Sequence, residues 1–470
     1  MPEIDPAVQE AIDAAGASGT TAWVLASAAL VLFMTPGLAF FYGGMTRSKS
    51  VLNMLMMSFS AIGVVSVLWV LYGYSLAFSG DVGGAGLIGN LDLVGLQGIT
   101  TSSITNGLYD YVFVGFQMMF AIITLALISG AVADRMKFGS WILFSVLWVT
   151  VVYFPVAHWV FAFGTPLEEG GTPAAGAASA FEAGTGGWIV GKLGALDFAG
   201  GTAVHINAGA AALALVLVLG KRKGFGREAM RPHNLPLVLI GTGILWFGWF
   251  GFNAGSALGA NGLAGLAFVN TQVATAAAAL AWIGTERLRD GHATTLGVAS
   301  GAVAGLVAIT PACGSVTPLG AILIGLVAGG ACCLAVTFKH RLGYDDALDV
   351  VGVHLVGGLV GTLMIGLVAS ESSTGSSDLE GLLYGGGLGL LGRQALAAAV
   401  VMGYSFVLTL VIALVVKAVM GLRISEEDEI TGIDQSNHAE TGYELAGGLS
   451  GGGGAPGLGA SLPSSLRVSP

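Results

Sequence analysis

The sequence predicts an all-α polytopic membrane protein with about eleven transmembrane helices. Only 10% of its 470 residues are charged, whereas 54% are hydrophobic and the mean hydropathy is +0.81. This charge is too low to cover the surface of a soluble protein of this length, so most of the chain is expected to face lipid. The 76 glycines are spread through apolar runs, which is typical of membrane helices that pack closely.

Eleven apolar runs are each long enough to cross a bilayer, which takes about 20 helical residues. They are numbered one to eleven here and lie near residues 22–44, 51–78, 110–132, 140–163, 197–219, 234–255, 263–285, 293–312, 319–338, 347–370 and 392–420.

The basic residues indicate which side of the membrane each loop occupies. All but three of the 18 Lys and Arg residues follow runs with odd numbers. These residues are Arg47, Lys49, Arg135, Lys137, Lys221, Arg222, Lys223, Arg227, Arg231, Arg287, Arg289, Lys339, Arg341, Lys417 and Arg423. Because cytoplasmic loops carry the excess of Lys and Arg, the N-terminus is expected outside and the C-terminus in the cytoplasm. The chain is predicted to be a multi-pass protein of the cell membrane.

The sequence divides into four segments. Residues 1–21 are acidic and polar, and we expect an extracellular segment rather than a cleaved signal peptide, because no basic region precedes run one. Residues 22–422 form the membrane domain. Residues 423–446 are predicted to be a cytoplasmic region, and residues 447–470, rich in Gly, Pro and Ser, are expected to be disordered.

Runs one to five and six to ten are predicted to be inverted repeats of five helices, with run eleven as one extra helix. A unit with an odd number of spans is turned over in the membrane when it is duplicated. Run one ends in "GLAFFYGG" and run six in "WFGWFGFNAG". His205 follows Asp197 in run five, and His354 follows Asp349 in run ten. The matched histidines are the stronger indication of a repeat.

His205 and His354 are both predicted to lie near the bilayer centre. At 1.5 Å per residue, His205 lies about 12 Å below Asp197, and His354 is at a similar depth in run ten. Ionisable side chains are costly at this depth and mark functional sites as a working hypothesis. The alternative is a hydrogen bond that only joins two helices. Asp197 has two open interpretations: a cap of run five, or a negative charge that attracts a cation.

Aromatic side chains and one serine lie at the predicted outer ends of runs three, four and six: Phe116, Phe120, Trp159, Phe161, Phe252 and Ser256. They could form an interfacial aromatic belt. They could also bind a small cation through cation–π attraction, with Ser256 accepting a hydrogen bond from it. The other histidines fall at run ends, in loops or in the C-terminal region, and are interpreted as structural: His158, His233, His292, His340 and His438.

Several function classes find no support in the sequence. Cys313, Cys332 and Cys333 lack the spacing of a metal site or a disulfide framework, so no metal or cofactor is predicted. The basic residues form no patch interleaved with aromatics, which argues against nucleic-acid binding. An enzyme is not expected either, because Asp197 and His205 are too far apart to act as a nucleophile–base pair.

Several long segments resemble the ammonium transporter (Amt/Rh) family, in particular its bacterial Amt type. They are "FQMMFAIIT", "DFAGGTAVHINAG", "PHNLP", "WFGFNAGSA" and "DVVGVHLVGG", and the resemblance extends over about residues 20–425. It implies eleven helices, a homotrimer with one pore in each subunit, and passage of ammonium.

The resemblance also implies roles for individual residues. His205 and His354 match the family's twin pore histidines, and Phe120 and Phe252 match its two gating rings. Ser256 matches the serine of the outer recruitment site, and Asp197 the acid that supports cation uptake. Phe161 stands where the family often has Trp, which implies either a weaker cation–π site or compensation by Trp159 two residues earlier. The loop at 168–188 is longer than expected.

The cytoplasmic region after Arg423 resembles the family's regulatory C-terminal region. It implies a PII-type signalling protein as a partner, and an ordinary solvated tail is the alternative. The expected mechanism is that NH₄⁺ loses a proton near Phe120 and Phe252 and crosses as NH₃, because an ion stripped of its hydration is costly in an apolar pore. A passive ammonia channel of the Rh kind and an ammonium sensor remain alternatives.

Overall fold

The computed structural model describes residues 5–105, 107–163 and 186–443. Within these ranges, ten helices are long and apolar enough to cross a membrane, and an eleventh apolar helix is shorter. They are α1 (Pro6–Met45), α2 (Ser48–Phe78), α3 (Asp110–Val132), α4 (Phe138–Phe161), α5 (Gly201–Leu219), α6 (Leu235–Gly255), α7 (Gly262–Asp290), α8 (Thr295–Ile309), α9 (Pro318–Leu342), α10 (Val351–Val368) and α11 (Gly389–Met420). The prediction of about eleven membrane helices is confirmed.

Short elements lie in the connections. A two-stranded antiparallel sheet joins β1 (Ile104–Thr105) to β2 (Leu108–Tyr109). Short helices that do not cross the membrane are Val94–Leu96, Trp188–Leu193, Glu371–Thr374, Ser377–Leu379, Leu382–Tyr384, Glu426–Thr431 and Asp434–His438. The predicted long loop at 168–188 and the predicted disordered end at 447–470 lie outside the described residues, apart from residues 186–188.

The first membrane helix begins earlier than its apolar run. The run starts near residue 22, but α1 is already helical from Pro6. Neither Gly16 nor Gly19 ends the helix, because one glycine costs only about 1 kcal/mol in a helix. The predicted N-terminal segment is therefore largely a helical extension of α1.

The two groups of five helices pack in the same pattern. Helix α3 contacts α1, α2 and α5, and α8 makes the corresponding contacts with α6, α7 and α10. Helix α2 contacts α4 as α7 contacts α9. Helices α1 and α6 pack along one another across the repeat boundary. This correspondence supports the predicted five-helix repeat.

Two glycines make reciprocal contacts at the centre of the repeat. A Cβ atom on Gly209 of α5 would lie 2.5 Å from the backbone nitrogen of Leu355. A Cβ atom on Gly358 of α10 would lie 3.0 Å from the side chain of Ile206. Gly358 and Leu355 are each 149 positions after their counterparts Gly209 and Ile206, the same interval that separates the histidines. Small residues thus let α5 and α10 cross closely.

Both histidines lie on π-helical turns at the start of their helices. Gly201–Ile206 opens α5 and Val351–Leu355 opens α10. The wider turn changes the direction in which a side chain points, and such turns are frequent at functional sites. The fold therefore places the two histidines on matched, non-standard turns.

Candidate functional site

The two histidines meet in the interior. His205 Nδ1 lies 3.3 Å from His354 Nδ1, and their ring centroids are 5.4 Å apart with an angle of 21° between the planes. Their exposed fractions are 1% and 3%. Two facing nitrogens can form a hydrogen bond only if one carries the hydrogen and the other does not. The neutral rings are therefore complementary tautomers. They exchange when one ring takes up a proton at its bare Nε2, the shared hydrogen crosses between the Nδ1 atoms, and the other ring releases a proton from its Nε2.

Aromatic rings continue from the histidines in one direction. The Trp249 ring stacks on His205 at a centroid distance of 5.4 Å and an angle of 20°. The Phe252 ring lies 6.2 Å from His205. The Trp249 indole donates to Thr310 Oγ1 at 2.8 Å, which fixes its orientation. Trp249 was not among the predicted site residues, although it belongs to the segment "WFGWFGFNAG" that the repeat pointed to.

Phe120 and Phe252 form the next layer. Their ring centroids are 4.3 Å apart with an angle of 34°. Phe116 packs on Phe120 at 4.9 Å, and Phe161 lies edge-on to Phe120 at 6.0 Å. All four rings are buried. Because Phe120 and Phe252 are in van der Waals contact, a molecule can pass between them only when a ring moves.

Ser256 lies at the end of α6, one turn after Phe252. Its hydroxyl donates to the Phe252 carbonyl at 2.8 Å, and the side chain is buried. Since its one hydrogen is engaged, the hydroxyl oxygen can act towards a ligand only as an acceptor. This suits a ligand that donates hydrogen bonds, such as ammonium.

Trp159 does not join this ring cluster. Its indole donates to the Leu87 carbonyl at 2.7 Å, and its ring packs against Trp188 and Tyr404. Phe161 is therefore the ring of this helix end that contacts Phe120. Phe161 and not Trp159 occupies the position from which a cation–π contact could be made.

Phe161 also borders a cavity of about 530 Å³, called the Phe161 cavity below. The residues that line it include Asp81, Asp110 and His158. Burial raises the pKa of Asp81, but backbone hydrogen bonds, led by that of Gly86, and the neighbouring His158 outweigh this and hold its pKa below the usual value. The cavity is thus acidic. Nothing in the sequence pointed to this cavity, because Asp81 lies in a loop without a motif.

Asp197 caps the start of α5. Its Oδ1 accepts from the backbone nitrogens of Gly200 and Gly201 at 2.8 and 2.7 Å. Its Oδ2 accepts from the Thr202 nitrogen at 2.7 Å and from the Thr202 hydroxyl. The carboxylate thus satisfies free backbone N–H groups at the start of α5 from three residues before the N-cap Gly200. Gly200 adopts φ +110°, a conformation that favours glycine.

The counterpart of Asp197 in the second repeat is Asp346 rather than Asp349, the acid noted beside His354 in the sequence. Asp346 precedes His354 by eight residues, as Asp197 precedes His205. Asp346 Oδ2 accepts from the Val351 nitrogen at 2.7 Å, whereas its Oδ1 is buried without a hydrogen-bond partner. Asp349 instead matches Gly200: it has φ +64° and pairs with Lys339 at 2.5 Å.

A buried ion cluster lies on the predicted cytoplasmic side. Arg222 binds Asp345 at 2.8 Å and Asp134 at 3.2 Å, and Asp134 also pairs with Arg47. Burial alone would lower the pKa of Arg222, but the hydrogen bonds with Asp345 and the charge of Asp134 raise it. Burial likewise raises the pKa of Asp345, and its bonds with Arg222 bring it below the usual value. The cluster joins the loops after α1, α3, α5 and α9.

The segment after Arg423 is docked beside this cluster. Glu429 accepts from Arg423 Nη2 at 2.6 Å and from the Lys223 backbone nitrogen at 2.7 Å. Asp434 accepts from the backbone nitrogens of Leu52 and Asn53 at 2.9 and 2.8 Å, near the start of α2. The described part of this region is therefore ordered against the ends of the membrane helices.

Sequence comparisons identify the family. A model described as the Ammonium Transporter Family matches residues 22–443. An ammonium transporter of Mycobacterium tuberculosis is 59% identical over 448 residues and covers 91% of both chains. The chain belongs to the ammonium transporter family. An ammonium transporter of Aquifex aeolicus is 49% identical over 434 residues, covering 91% of this chain and 94% of the relative.

Solved structures of this family share the fold. A structure titled "Sensor Amt Protein" has a TM-score of 0.79 at 30% identity, covering 90% of this chain and 98% of the other. The Mep2 structure of Saccharomyces cerevisiae has a TM-score of 0.75 at 34% identity, covering 87% of this chain and 88% of the other. The chain is thus a multi-pass membrane protein whose family transports ammonium.

Proposed function

We propose that this ammonium transporter collects NH₄⁺ beside Phe161 and Ser256, removes a proton, and conducts NH₃ past Phe120 and Phe252 to the histidine pair. The 3.3 Å contact between the two buried imidazoles is the observation that carries this proposal. A neutral molecule avoids the cost of a bare ion in an apolar passage. Asp197 supports the site as a fixed negative charge at the start of α5.

His205 and His354 then relay the released proton. Imidazole changes its protonation near neutral pH, and the shared Nδ1 contact supplies a path between the rings. We expect His205→Ala or His354→Ala to abolish ammonium-evoked current in proteoliposomes on a solid-supported membrane. Wild-type currents in both variants would contradict the relay.

Asp197→Ala is expected to impair transport severely. The substitution removes both the negative charge and the hydrogen bonds to residues 200–202. Asp197→Asn removes the charge but keeps one of the two acceptor oxygens, so a comparison of methylammonium uptake by the two variants indicates how much of the effect comes from the charge. Wild-type uptake by Asp197→Asn would mean that the charge of Asp197 is not needed for transport and that its role is only to cap α5.

The principal alternative is a passive ammonia channel of the Rh kind. It uses the same passage, but no net charge crosses the membrane. Radiolabelled methylammonium uptake and current, measured on the same wild-type proteoliposomes, distinguish the two: uptake with no current contradicts the electrogenic mechanism. An ammonium sensor is a second alternative, favoured by the similarity to the structure titled "Sensor Amt Protein".

We further propose a homotrimer with the N-terminus outside. Helix α7 has a mean hydropathy of 1.5, which is the lowest of the ten spans in the described residues. Gln272 is exposed on it and accepts from Trp246 of α6 at 3.1 Å. A polar group is costly against lipid, so this face is suited to another subunit. The particle mass in nanodiscs tests the trimer.

The docked segment after Arg423 is the proposed binding region for a PII-type protein. Its contacts with α2 and with the loop after α5 could transmit binding to the membrane helices. Co-purification of a PII-type protein with the full chain, and its loss in a chain ending at residue 424, tests this partner.

A further inference from the structure

His158 and Asp81 form a pair of facing acceptors in the wall of the Phe161 cavity. His158 Nδ1 lies 2.8 Å from the Ala77 carbonyl oxygen. A carbonyl can only accept, so Nδ1 must carry the hydrogen, and Nε2 of the neutral ring has a lone pair. This Nε2 lies 3.4 Å from Asp81 Oδ1. Two acceptors at this distance are complementary to a cation that donates hydrogen.

The pair is held in place by contacts on both sides. The side chain of His158 is 2% exposed and that of Asp81 17%. Asp81 accepts from the backbone nitrogens of Gly86 and Leu87 at 2.8 and 3.1 Å. These bonds keep the carboxylate beside the imidazole. Both residues line the cavity, and His158 Nε2 is buried with no hydrogen-bond partner among the described residues. His158 precedes Phe161 by three residues, so both lie on one face of α4.

We propose that His158 is the base that takes the proton from ammonium in the Phe161 cavity, with Asp81 as its counter-charge. This inference rests on the proposed transport of ammonia. One N–H bond of NH₄⁺ breaks and its electron pair remains on the nitrogen, which leaves as NH₃. An N–H bond forms at His158 Nε2. The positive charge moves from ammonium to the imidazolium, where Asp81 stabilises it.

The groups around His158 support a role for it as a proton acceptor rather than as a structural histidine. The titratable groups that share the cavity wall in the described residues are Asp81, Asp110 and Tyr74. Lys192 lies near the same loop and donates to the Gly84 carbonyl. The NH₃ released here is beside Phe161, whose ring is 6.0 Å from Phe120. The product therefore forms at the entrance to the apolar passage.

The test uses the full chain in proteoliposomes, with ammonium-evoked current and methylammonium uptake measured between about pH 5 and pH 8, around the ordinary pKa of histidine. His158→Asn keeps a donor where Nδ1 lies and removes the titrating Nε2. We expect transport to fall at least about tenfold, since a general base typically contributes roughly 10²–10⁴-fold. We also expect the acid limb of the pH profile to disappear. Should His158→Asn fail to fold, His158→Gln serves the same purpose.

Asp81→Asn gives an independent readout. Without its counter-charge the imidazolium is less stable, so the acid limb should move to lower pH and the maximum rate should fall. Asp110→Asn is the matched control, because it removes another carboxylate from the same wall. Asp110→Asn is expected to change the apparent affinity for methylammonium and to leave the acid limb of the pH profile where it is in the wild type.

Two results would overturn the inference. His158→Asn and His158→Gln with wild-type rates and pH profiles would mean that the pair only anchors the loop at 81–89. An equal displacement of the acid limb by Asp81→Asn and Asp110→Asn would mean that cavity charge, and not the pair, governs the rate. A wild-type chain without ammonium-dependent uptake contradicts the proposed function itself, and the inference with it.

Discussion

Phe161 is the residue at which the ring cluster meets the cavity. Its ring contacts Phe120 and it lines the cavity wall. Trp binds cations through its ring face more strongly than Phe does. We expect Phe161→Trp to lower the apparent KM for methylammonium by about threefold, which corresponds to the weaker end of a cation–π gain. Trp159→Phe is the control, because Trp159 packs on Trp188 and Tyr404 and should leave KM unchanged.

An equal or higher KM in Phe161→Trp would contradict a cation–π role for this position. Concentration-dependent uptake in proteoliposomes at fixed pH is the measurement. Thermal unfolding of each variant shows whether the larger indole is accommodated, since overpacking of a buried site typically costs about 1–3 kcal/mol.

The predicted site residues differ in how well the sequence could identify them. His205 and His354 were recognisable because polar groups in long apolar runs are rare and their depth follows from the helix rise. The sequence alone could not show which of Trp159 and Phe161 faces the passage. Residues two apart on a helix point in directions about 200° apart, so only one of them can face the passage. Asp81 was missed because its partner His158 is distant in sequence.

At the scale of helices, the crossing of α5 and α10 depends on Gly209. An added Cβ atom would lie 2.5 Å from the Leu355 nitrogen, and Leu355 follows His354. We expect Gly209→Ala to lower the free energy of unfolding by about 1–3 kcal/mol and to reduce transport, because displacement of Leu355 separates the histidines. Thermal unfolding in detergent and methylammonium uptake measure both effects.

Gly403→Ala is the matched control on α11. A Cβ atom there meets nothing within 4 Å, so the substitution should be neutral or stabilise the helix by up to about 1 kcal/mol. If Gly209→Ala and Gly403→Ala behaved alike, close contact at Gly209 would not be what brings the histidines together.

The cap of α10 gives a pH-dependent prediction. Burial raises the pKa of Asp346 to about 6, above its value of about 4 in an unfolded chain, so its contribution to stability falls as the pH rises from about 4 and is lost above about 6. Asp346→Asn keeps an acceptor for the Val351 nitrogen. We expect it to match the wild type most closely near pH 4 and to be more stable by roughly 3 kcal/mol at pH 8. Asp346→Ala should be about 1 kcal/mol less stable than Asp346→Asn at both pH values, because it also loses the cap.

Thermal unfolding of the three proteins at both pH values checks this prediction. If Asp346→Asn were less stable than the wild type at pH 8, the charge of Asp346 would be needed for the fold. The sequence alone could not show which acid caps α10, because Asp345, Asp346 and Asp349 all lie shortly before this helix. Only the contacts in the structure distinguish them: Asp346 binds the Val351 nitrogen, Asp345 pairs with Arg222, and Asp349 pairs with Lys339.

For the whole molecule, hydropathy predicted the number of helices and most of their bounds. This worked because a bilayer fixes the length of an apolar span. The start of α1 was less predictable, because its first turns are polar and extend the helix beyond the apolar run. The contacts between the two repeats depend on which helix faces pack together. In the sequence, only the glycines and the paired histidines indicated those faces.

The distribution of Lys and Arg predicts how the whole molecule is oriented in the membrane. If the loops rich in Lys and Arg are cytoplasmic, the loop between α10 and α11 is outside and the segment after Arg423 is inside. Ser377 and Ser436 are exposed in these two regions. The three native cysteines are buried, so they should react little with a membrane-impermeant maleimide. Ser377→Cys should be labelled in intact cells, and Ser436→Cys only after the membrane is permeabilised.

The reverse labelling pattern would place the Phe161 cavity on the cytoplasmic side. Ammonium would then be deprotonated where nitrogen is consumed, and the proposed entrance would be the exit. Labelling of both positions in intact cells would point to leaky cells or mixed insertion, which a cytoplasmic marker protein separates. The expected pattern instead gives an acidic cavity outside, where its carboxylates concentrate a scarce cation, and positive loops inside, where they oppose the return of the same ion.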